Sequence, residues 1–339
     1  MELHDHEYHA LTVSAIVEET ADTRSFVLDI PDELESTFAY AAGQFCTFRA
    51  TIDGEPVVRC YSMSSSPDTD DRFTTTVKRV PDGRMSNWMN DALTVGDTID
   101  VLRPTGLFQL RPRDEPVVAF AGGSGITPVI SIIKSAIATT TRRIVLIYAN
   151  READAVIFAD ELERLRTAAE GRLEIHHHLD SEAGLLDAAA CASLVADATD
   201  GDFYLCGPGP YMEVVEVGLA AVGVPEDRRF IERFVLPEPA APEPAASPTQ
   251  SLVIRLDRHE RALRYAAGDT ILEGARRGGL NPPFSCEQGN CATCMAHLAL
   301  GAATMRVNNA LTPDEVEQGW VLTCQALPTT PEVVVDYDA

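Results

Sequence analysis

Four cysteines crowd the last quarter of the chain in FSCEQGNCATC and WVLTCQ, so that Cys286, Cys291, Cys294 and Cys324 read C-x4-C-x2-C-x29-C. This is the spacing of a [2Fe–2S] centre, in which a tight loop delivers three thiolates to one side and a distant strand supplies the fourth. Ferric ions need soft, anionic ligands, which thiolates provide. A four-cysteine zinc site would pair two C-x2-C-like knuckles, and here only Cys291 and Cys294 form one. The loop residues Gly289, Asn290 and Ala292 are expected against the sulfurs, where backbone N–H groups help set the potential. Such a centre carries one electron, at roughly −400 mV, and cannot accept a hydride. Something upstream must therefore divide a two-electron donor into single electrons.

There is room for it. At ~150 residues per domain, 339 residues predict two or three domains. The clearest boundary is PEPAAPEPAASPTQ, residues 237–250, which reads as an extended, semi-rigid linker. Before it, residues 1–113 carry short Thr/Val-rich runs such as LTVSAIVEET, FCTFRATI and RFTTTVKRV between Asp/Gly/Pro turns, which predicts an antiparallel barrel or sandwich. Residues 114–236 alternate continuous apolar runs (PVVAFAGG, RRIVLIYAN, GDFYLCGPG) with helical patterns, which predicts a parallel sheet covered by helices. Within 251–339, SLVIRLD and RALRYAAG predict a hairpin and EVVVDY a last strand. Thr270 with Glu273, and Thr312 with Glu315, predict capping boxes at two helix starts.

Two glycine-rich turns fall in the middle segment. AFAGGSGITP places Gly122, Gly123, Ser124, Gly125, Thr127 and Pro128 where an apolar strand turns into a helix. Glycines let a phosphate approach the backbone, and the helix N-terminus offers free N–H groups and partial positive charge. CGPGPYM, with Cys206, Gly207 and Pro208, ends a later strand, so both turns are expected to open on one carboxyl edge. In the barrel segment, VVRCYSMSSSP contains Arg59, Cys60, Tyr61 and Ser62, and DGRMSNW contains Gly83, Met85, Ser86 and Asn87 at a helix start. A pyrophosphate needs an arginine fork and N-terminal amides. A stacked flavin needs an aromatic face and a hydrogen bond at N5. Strand positions two apart, such as Arg59 and Tyr61, can supply both needs from one side.

The combination of R-x-Y-S, GGSGITP, CGPGP and the C-terminal cysteine set resembles the ferredoxin–NAD(P) reductase superfamily, in the branch with a fused plant-type [2Fe–2S] ferredoxin. RCYSMSSSP, ITPVISIIKSA, VIFADEL and PPFSCEQGNC are similar, within that branch, to reductase components of 3-ketosteroid 9α-hydroxylases, and the likeness covers nearly the whole chain. The resemblance implies a multidomain β + α/β fold: an antiparallel flavin-binding β-barrel over 1–113, a Rossmann-like parallel α/β NAD-binding domain over 114–236, the linker 237–250 and a β-grasp [2Fe–2S] ferredoxin domain over 251–339. Electrons would pass from NADH through FAD and the cluster to a terminal oxygenase, here a Rieske-type one. Reductases of aromatic-ring oxygenases and of phenylacetyl-CoA epoxidase look alike and are the alternative, as is a stand-alone flavin reductase acting on a small-molecule acceptor. FMN and NADPH are the alternative cofactors.

The same resemblance assigns roles to matching positions. Arg59 would bind the flavin diphosphate, Cys60 would line the flavin site, Tyr61 would stack on the isoalloxazine and Ser62 would face N5. Val77 and Lys78 would line the ribityl and adenosine side, and Gly83, Met85 and Ser86 would cradle the flavin phosphate. Gly122 to Pro128 and Cys206, Gly207 and Pro208 would hold the nicotinamide nucleotide, with Thr127 and Cys206 near the rings, and Glu232 and Phe234 of IERF would lie by the flavin. Ser62, Cys206 and Glu232 are the residues expected at the hydride transfer, and Cys286, Cys291, Cys294 and Cys324 the metal ligands. One position departs from the family: Ala292 stands where glycine is usual, so the loop must tolerate a Cβ.

Charge excludes some partners. With 27 basic against 52 acidic residues, a formal net of −25, and only Lys78 and Lys134 as lysines, the chain lacks the basic footprint that nucleic acid or an anionic membrane requires. No basic residue follows Arg306, which predicts an acidic face near Cys324 that could meet a basic patch on the oxygenase. The N-terminus has no signal-peptide pattern and no apolar run approaches ~18 residues, so a cytoplasmic monomer is expected. His176, His177 and His178 are neighbours in a strand pattern and alternate faces, so they cannot converge on one ion. His4, His6 and His9 are expected to bind metal only incidentally. Cys46 and Cys191 read as small buried hydrophobes.

Overall fold

The computed structural model describes residues 8–234, 251–284 and 286–339. The expected linker and His4 and His6 lie outside them. The Thr/Val-rich segment forms β1 (His9–Thr20), β2 (Thr23–Asp29), β3 (Phe45–Ile52), β4 (Glu55–Ser62), β5 (Phe73–Lys78), α1 (Arg84–Asp91) and β6 (Thr98–Val101). The strands pair antiparallel in the order β4-β3-β6-β1-β2-β5. A bridge between Met63 and Thr75 joins the two edge strands and closes the sheet into a barrel. Asp53 and Gly54, both at positive φ, make the tight β3–β4 turn that brings Arg59 and Tyr61 back beside Phe48 and Cys46. Alternate residues such as Leu11, Val13, Phe26, Phe48 and Val101 fill the interior.

The second segment forms β7 (Val117–Gly122), α2 (Ile126–Thr139), β8 (Ile144–Asn150), α3 (Ala159–Ala168), β9 (Leu173–Leu179), α4 (Asp180–Ala183), α5 (Ala188–Leu194), β10 (Asp202–Cys206), α6 (Gly209–Ala221) and β11 (Arg229–Glu232). Its five strands are parallel in the order β11-β10-β7-β8-β9. Every residue of β7, β8 and β10 is buried, because helices cover both faces, and their apolar runs have no polar alternation for the same reason. The chain reverses its direction of growth between β7 and β10, the place in such a sheet where ligands bind.

The last segment forms β12 (Ser251–Leu256), β13 (His259–Leu263), α7 (Ile271–Arg277), β14 (Met295–Leu300), β15 (Ala303–Met305), α8 (Pro313–Glu317), β16 (Trp320–Leu322), β17 (Ala326–Pro328) and β18 (Glu332–Asp336). A mixed sheet runs β13-β12-β18-β14-β16, with its first strand in the chain, β12, parallel to its last, β18. Ile271 and Ala275 of α7 join Leu252 and Val333 in the core beneath it. Both capping boxes form, with Thr270 and Thr312 accepting from the amides of Glu273 and Glu315 at 3.2 Å. Among the described residues no helix is long and apolar enough to cross a membrane.

Candidate functional site

In β4 the side chains alternate. Arg59 is exposed and donates to the Val58 carbonyl at 2.7 Å, which leaves most of its guanidinium fork open to an anion. Tyr61 packs on Phe48 with ring centroids 5.7 Å apart, its phenol pushed up by burial. Ser62 is buried. Cys60, between Arg59 and Tyr61, points the other way and meets Thr47 Oγ1 at 3.4 Å. The helix α1 starts at Gly83, where Ser86 Oγ donates to the Gly83 carbonyl and accepts from the Val80 amide. A Cβ on Gly83 would lie 2.5 Å from Ser86 Oγ, so glycine is needed for this close turn. Val77 and Met85 turn their side chains into the barrel core, so any contact of theirs with a bound flavin falls to the backbone. Lys78 pairs with Asp22 at 3.5 Å.

The two glycine-rich turns touch. A Cβ on Gly125 would sit 2.0 Å from the Cys206 carbonyl oxygen, and one on Gly122 would sit 2.9 Å from Pro208 and from the Tyr211 ring. Gly207 lies against the same ring and against Gly122. Thr127 is buried and donates to the Ser124 carbonyl at 2.8 Å, which closes the turn into α2, and Pro128 is buried behind it. Gly123, in the left-handed region at φ +51, has open space where a side chain would be, a cradle able to receive a nucleotide phosphate. Cys206 pairs in register with Ala121 on one side and Glu232 on the other. Burial pushes the Cys206 thiol up and the Glu232 carboxyl up to about 8, so Glu232 holds its proton at neutral pH. Phe234, two residues on, is exposed. Asn150 is buried at the end of β8, whereas Arg151 and Glu152 are exposed.

The four cysteines of the C-terminal domain stand in two pairs. The Cys286 amide donates to Cys291 Sγ at 3.5 Å, and the two thiols hydrogen bond. Cys294 and Cys324 hydrogen bond likewise. Two pairs suit a two-iron centre, with two thiolates for each iron. Amides surround the sulfurs: those of Gln288 and Asn290 donate to Cys286 Sγ at 3.4 Å, that of Gly289 to Cys324, and Gln325 Nε2 lies 3.7 Å from Cys324 Sγ. This donor set fits anionic sulfur and a [2Fe–2S] cluster. Its hydrogen bond with Cys294 is the main force holding the Cys324 thiol down, whereas the same bond and burial raise Cys294. Hydrogen bonding from Cys286 lowers Cys291, but Cys60 and burial outweigh it and push the thiol up to about 12. Ala292 adopts φ +54, so the Cβ at this position is accommodated in the left-handed region.

The cysteine loop rests on the other two domains. Thr105 Oγ1 donates to the Asn290 carbonyl at 2.7 Å, Gln288 Nε2 donates to the Arg233 carbonyl at 3.3 Å, and the Cys60 and Cys291 thiols hydrogen bond across the interface. One residue of the R-x-Y-S strand thus touches a cysteine of the C-terminal loop while its neighbours Arg59 and Tyr61 face away. Thr105 and Gln288 carry no local sequence signal, because their role exists only once the domains meet. The acidic stretch after Arg306 is partly consumed by local structure: Glu315 is buried in its capping box, Asp336 pairs with Arg255 at 3.5 Å and Asp338 accepts from the Asp257 and Arg258 amides. Asp314, Glu317 and Glu332 remain exposed. The histidines of β9 diverge as alternation requires, His176 to Glu174, His177 to the Tyr148 ring and His178 to the Gly184 carbonyl.

Comparison with known proteins agrees with this arrangement. An oxidoreductase FAD-binding domain model matches residues 10–110, an oxidoreductase NAD-binding domain model residues 120–216 and a 2Fe-2S iron-sulfur cluster binding domain model residues 254–329. The chain is 40% identical over 338 residues to the ferredoxin reductase component of the 3-ketosteroid-9-alpha-monooxygenase of Rhodococcus rhodochrous, covering 96% of both chains. It is 34% identical to one component of the 1,2-phenylacetyl-CoA epoxidase of Escherichia coli K12, covering 98% of both. The solved structure of phthalate dioxygenase reductase, a modular structure for electron transfer from pyridine nucleotides to [2Fe–2S], superposes with a TM-score of 0.61 at 27% identity, covering 97% of this chain and 98% of that one. FAD, a nicotinamide nucleotide and a [2Fe–2S] cluster are therefore the cofactors of this oxidoreductase. The chain belongs to the ferredoxin–NAD(P) reductase superfamily, among the monooxygenase reductase components that carry a fused C-terminal [2Fe–2S] domain.

Proposed function

We propose that this chain is the reductase component of a 3-ketosteroid 9α-hydroxylase, taking electrons from NADH and delivering them singly to a Rieske-type terminal oxygenase. The observation that carries this reading is 40% identity over 96% of the chain to a reductase of that system. When bound, the flavin accepts a two-electron hydride and releases single electrons to the cluster, chemistry that no side chain supplies. The protein's part is to bind, orient and exclude water.

In this reading residues 1–113 form the flavin domain, 114–236 the nucleotide domain, 237–250 the linker and 251–339 the cluster domain. Arg59 and the first-turn amides of Met85 and Ser86, with Gly83 leaving room beside them, neutralise the flavin phosphates, Tyr61 supplies the stacking face and Ser62 a hydroxyl for N5. Val77, Lys78 and Met85 complete that wall. The turns Gly122–Gly125 and Cys206–Pro208, with Thr127 and Pro128, receive the nicotinamide nucleotide. Cys206 and protonated Glu232 present a small, neutral, water-poor surface where the hydride moves, and Phe234 covers the site from its exposed position. Cys286 with Cys291, and Cys294 with Cys324, hold the two irons. The chain acts as a cytoplasmic monomer, with no nucleic acid or membrane as partner.

Reconstitution tests the assignment. The purified protein is combined with NADH and either the oxygenase of a ketosteroid hydroxylase or that of phenylacetyl-CoA epoxidase, and product is quantified against NADH consumed. Hydroxylated ketosteroid formed in proportion to NADH supports the proposal. Coupled turnover with the epoxidase alone moves the chain to the second reading, which 34% identity over 98% of its length supports. Turnover with neither, beside rapid reduction of a small acceptor, would make it a stand-alone flavin reductase.

A further inference from the structure

Helix α2 begins at the glycine-rich nucleotide turn and runs back along the barrel. Its buried side carries three polar residues at one-turn spacing, Ser131, Lys134 and Ser135, inside an otherwise apolar sequence. All three reach the segment Ser64–Ser66, which follows Ser62 at the end of the flavin strand. Ser131 Oγ donates to the Ser65 carbonyl at 2.6 Å and accepts from the Gly43 amide at 3.3 Å. The Ser135 and Ser66 hydroxyls lie 2.8 Å apart. Lys134 Nζ donates to the Ser64 carbonyl at 3.3 Å, to Asp70 at 3.0 Å and to Glu161 of α3 at 2.6 Å. The ammonium thus uses its three protons on three acceptors, two from the barrel and one from the nucleotide domain.

The target segment is itself held by hydrogen bonds. The Ser64 amide donates to the Thr74 carbonyl at 2.8 Å, Tyr40 and Ser65 hydroxyls lie 2.7 Å apart, and Asp70 also accepts from the Ser66 amide at 2.8 Å. Beside these contacts the domains part around a cleft of about 700 Å³, lined by Glu19, Asp70, Asp160, Arg164 and Lys134 among others. Apolar packing joins the two domains where Ala42 and Phe108 enter the core around α2, Phe108 stands edge-on to Tyr204 with ring centroids 5.6 Å apart, and Gly43 fits against Ile132. That packing lies on one side of α2, and beside the open cleft the placement of the helix on residues 64–66 is left to its polar side chains.

We propose that Ser131, Lys134 and Ser135 form a clamp that sets the nucleotide domain on the barrel, and that Lys134 is its principal positioning residue for hydride transfer. The clamp ties the helix that begins at the nucleotide turn to the chain that continues from the flavin strand. A shift there displaces donor relative to acceptor without touching either binding site. Lysine is required because a compact ammonium meets three acceptors around a point, whereas the planar fork of arginine does not. The inference rests on the reductase reading above.

Lys134→Met and Asp70→Asn test it. Anaerobic stopped-flow gives the rate of flavin reduction at saturating NADH, titration gives the flavin content and the NAD+ affinity, and amide hydrogen exchange is followed over residues 62–66 and 129–136. Lys134→Met is expected to keep its flavin and to bind NAD+ within about threefold of the parent. Its reduction rate should fall at least tenfold, about 1.4 kcal/mol of barrel-to-nucleotide alignment, while exchange rises in both segments. Asp70→Asn, which keeps size and all other partners, should show the same pattern more weakly and decides the matter if Lys134→Met does not fold. Unchanged reduction rates in the folded variants would overturn the clamp, as would a loss explained wholly by lost flavin. Failure of the parent protein to be reduced by NADH would instead overturn the reductase reading, while the exchange data would still report on the clamp.

Discussion

Gly125 and Cys206, eighty-one residues apart, approach so closely that a Cβ on Gly125 would lie 2.0 Å from the Cys206 carbonyl oxygen. Both contacting groups are backbone and neither can swing aside. Gly125→Ala should therefore force the two glycine-rich turns apart, with a stability loss of order 2 kcal/mol or more. Differential scanning calorimetry and NAD+ titration would register a lower melting midpoint and weaker nucleotide binding. A variant with parental values for both would mean that the turns separate without cost.

Cys324 supplies the sulfur that comes from the distant strand end, and it receives the Gly289 amide and Cys294 hydrogen bonds. Cys324→Ser replaces a thiolate by a hydroxyl that stays protonated, which would remove one of the two protein ligands of its iron. NADH should still bleach the flavin band at close to the parental rate, while reduction of a one-electron protein acceptor is lost. Stopped-flow absorbance follows the first and a cytochrome assay the second. Equal loss of both would contradict the division of labour between domains.

Arg59 is exposed and its guanidinium spends one bond on its own strand. Replacing it with alanine removes a charge-assisted fork worth about 1.5–3 kcal/mol. Flavin should dissociate from Arg59→Ala roughly 10–100-fold more readily at equilibrium. Fluorescence of released flavin on dilution measures this. Retention equal to the parent's would place the diphosphate elsewhere.

Glu232 carries a carboxyl raised by burial from its usual 4.5 to about 8. Between those values the folded flavin-free protein holds a proton that the unfolded chain has released. Stability must then fall as pH rises from about 4.5 to 8 and level off above, by up to a few kcal/mol. Glu232→Gln removes the titration, so the variant should lose that slope and exceed its parent in stability at pH 9. Urea unfolding at pH 5, 7 and 9 gives the comparison, and parallel curves for the two proteins would show that the side chain ionises freely in the fold.

Features that depend on neighbours in the chain are legible in the sequence. Thr270 with Glu273 and Thr312 with Glu315 announce helix starts because the capping hydrogen bonds span three residues. The unbroken apolar run of VVAFAG announces a strand covered on both faces, and HHH in β9 excludes a shared ion through simple alternation. Lys134 leaves a trace too, as a charge within TPVISIIKSAI, but a trace without direction: its partners Ser64 and Asp70 lie 70 and 64 residues away.

The amino-acid order alone therefore determined the element types and the three classes of cofactor chemistry and pointed to four cysteines as candidate ligands, since cysteine spacing, glycine turns and periodicity are local constraints. Only the tertiary structure decided that Cys286 sits with Cys291 and Cys294 with Cys324, that Cys60 turns from β4 to meet Cys291, and that α2 is pinned to residues 64–66. Those relations join groups far apart in the chain. Their energies come from burial and hydrogen bonding between surfaces that do not exist until each domain has folded and docked.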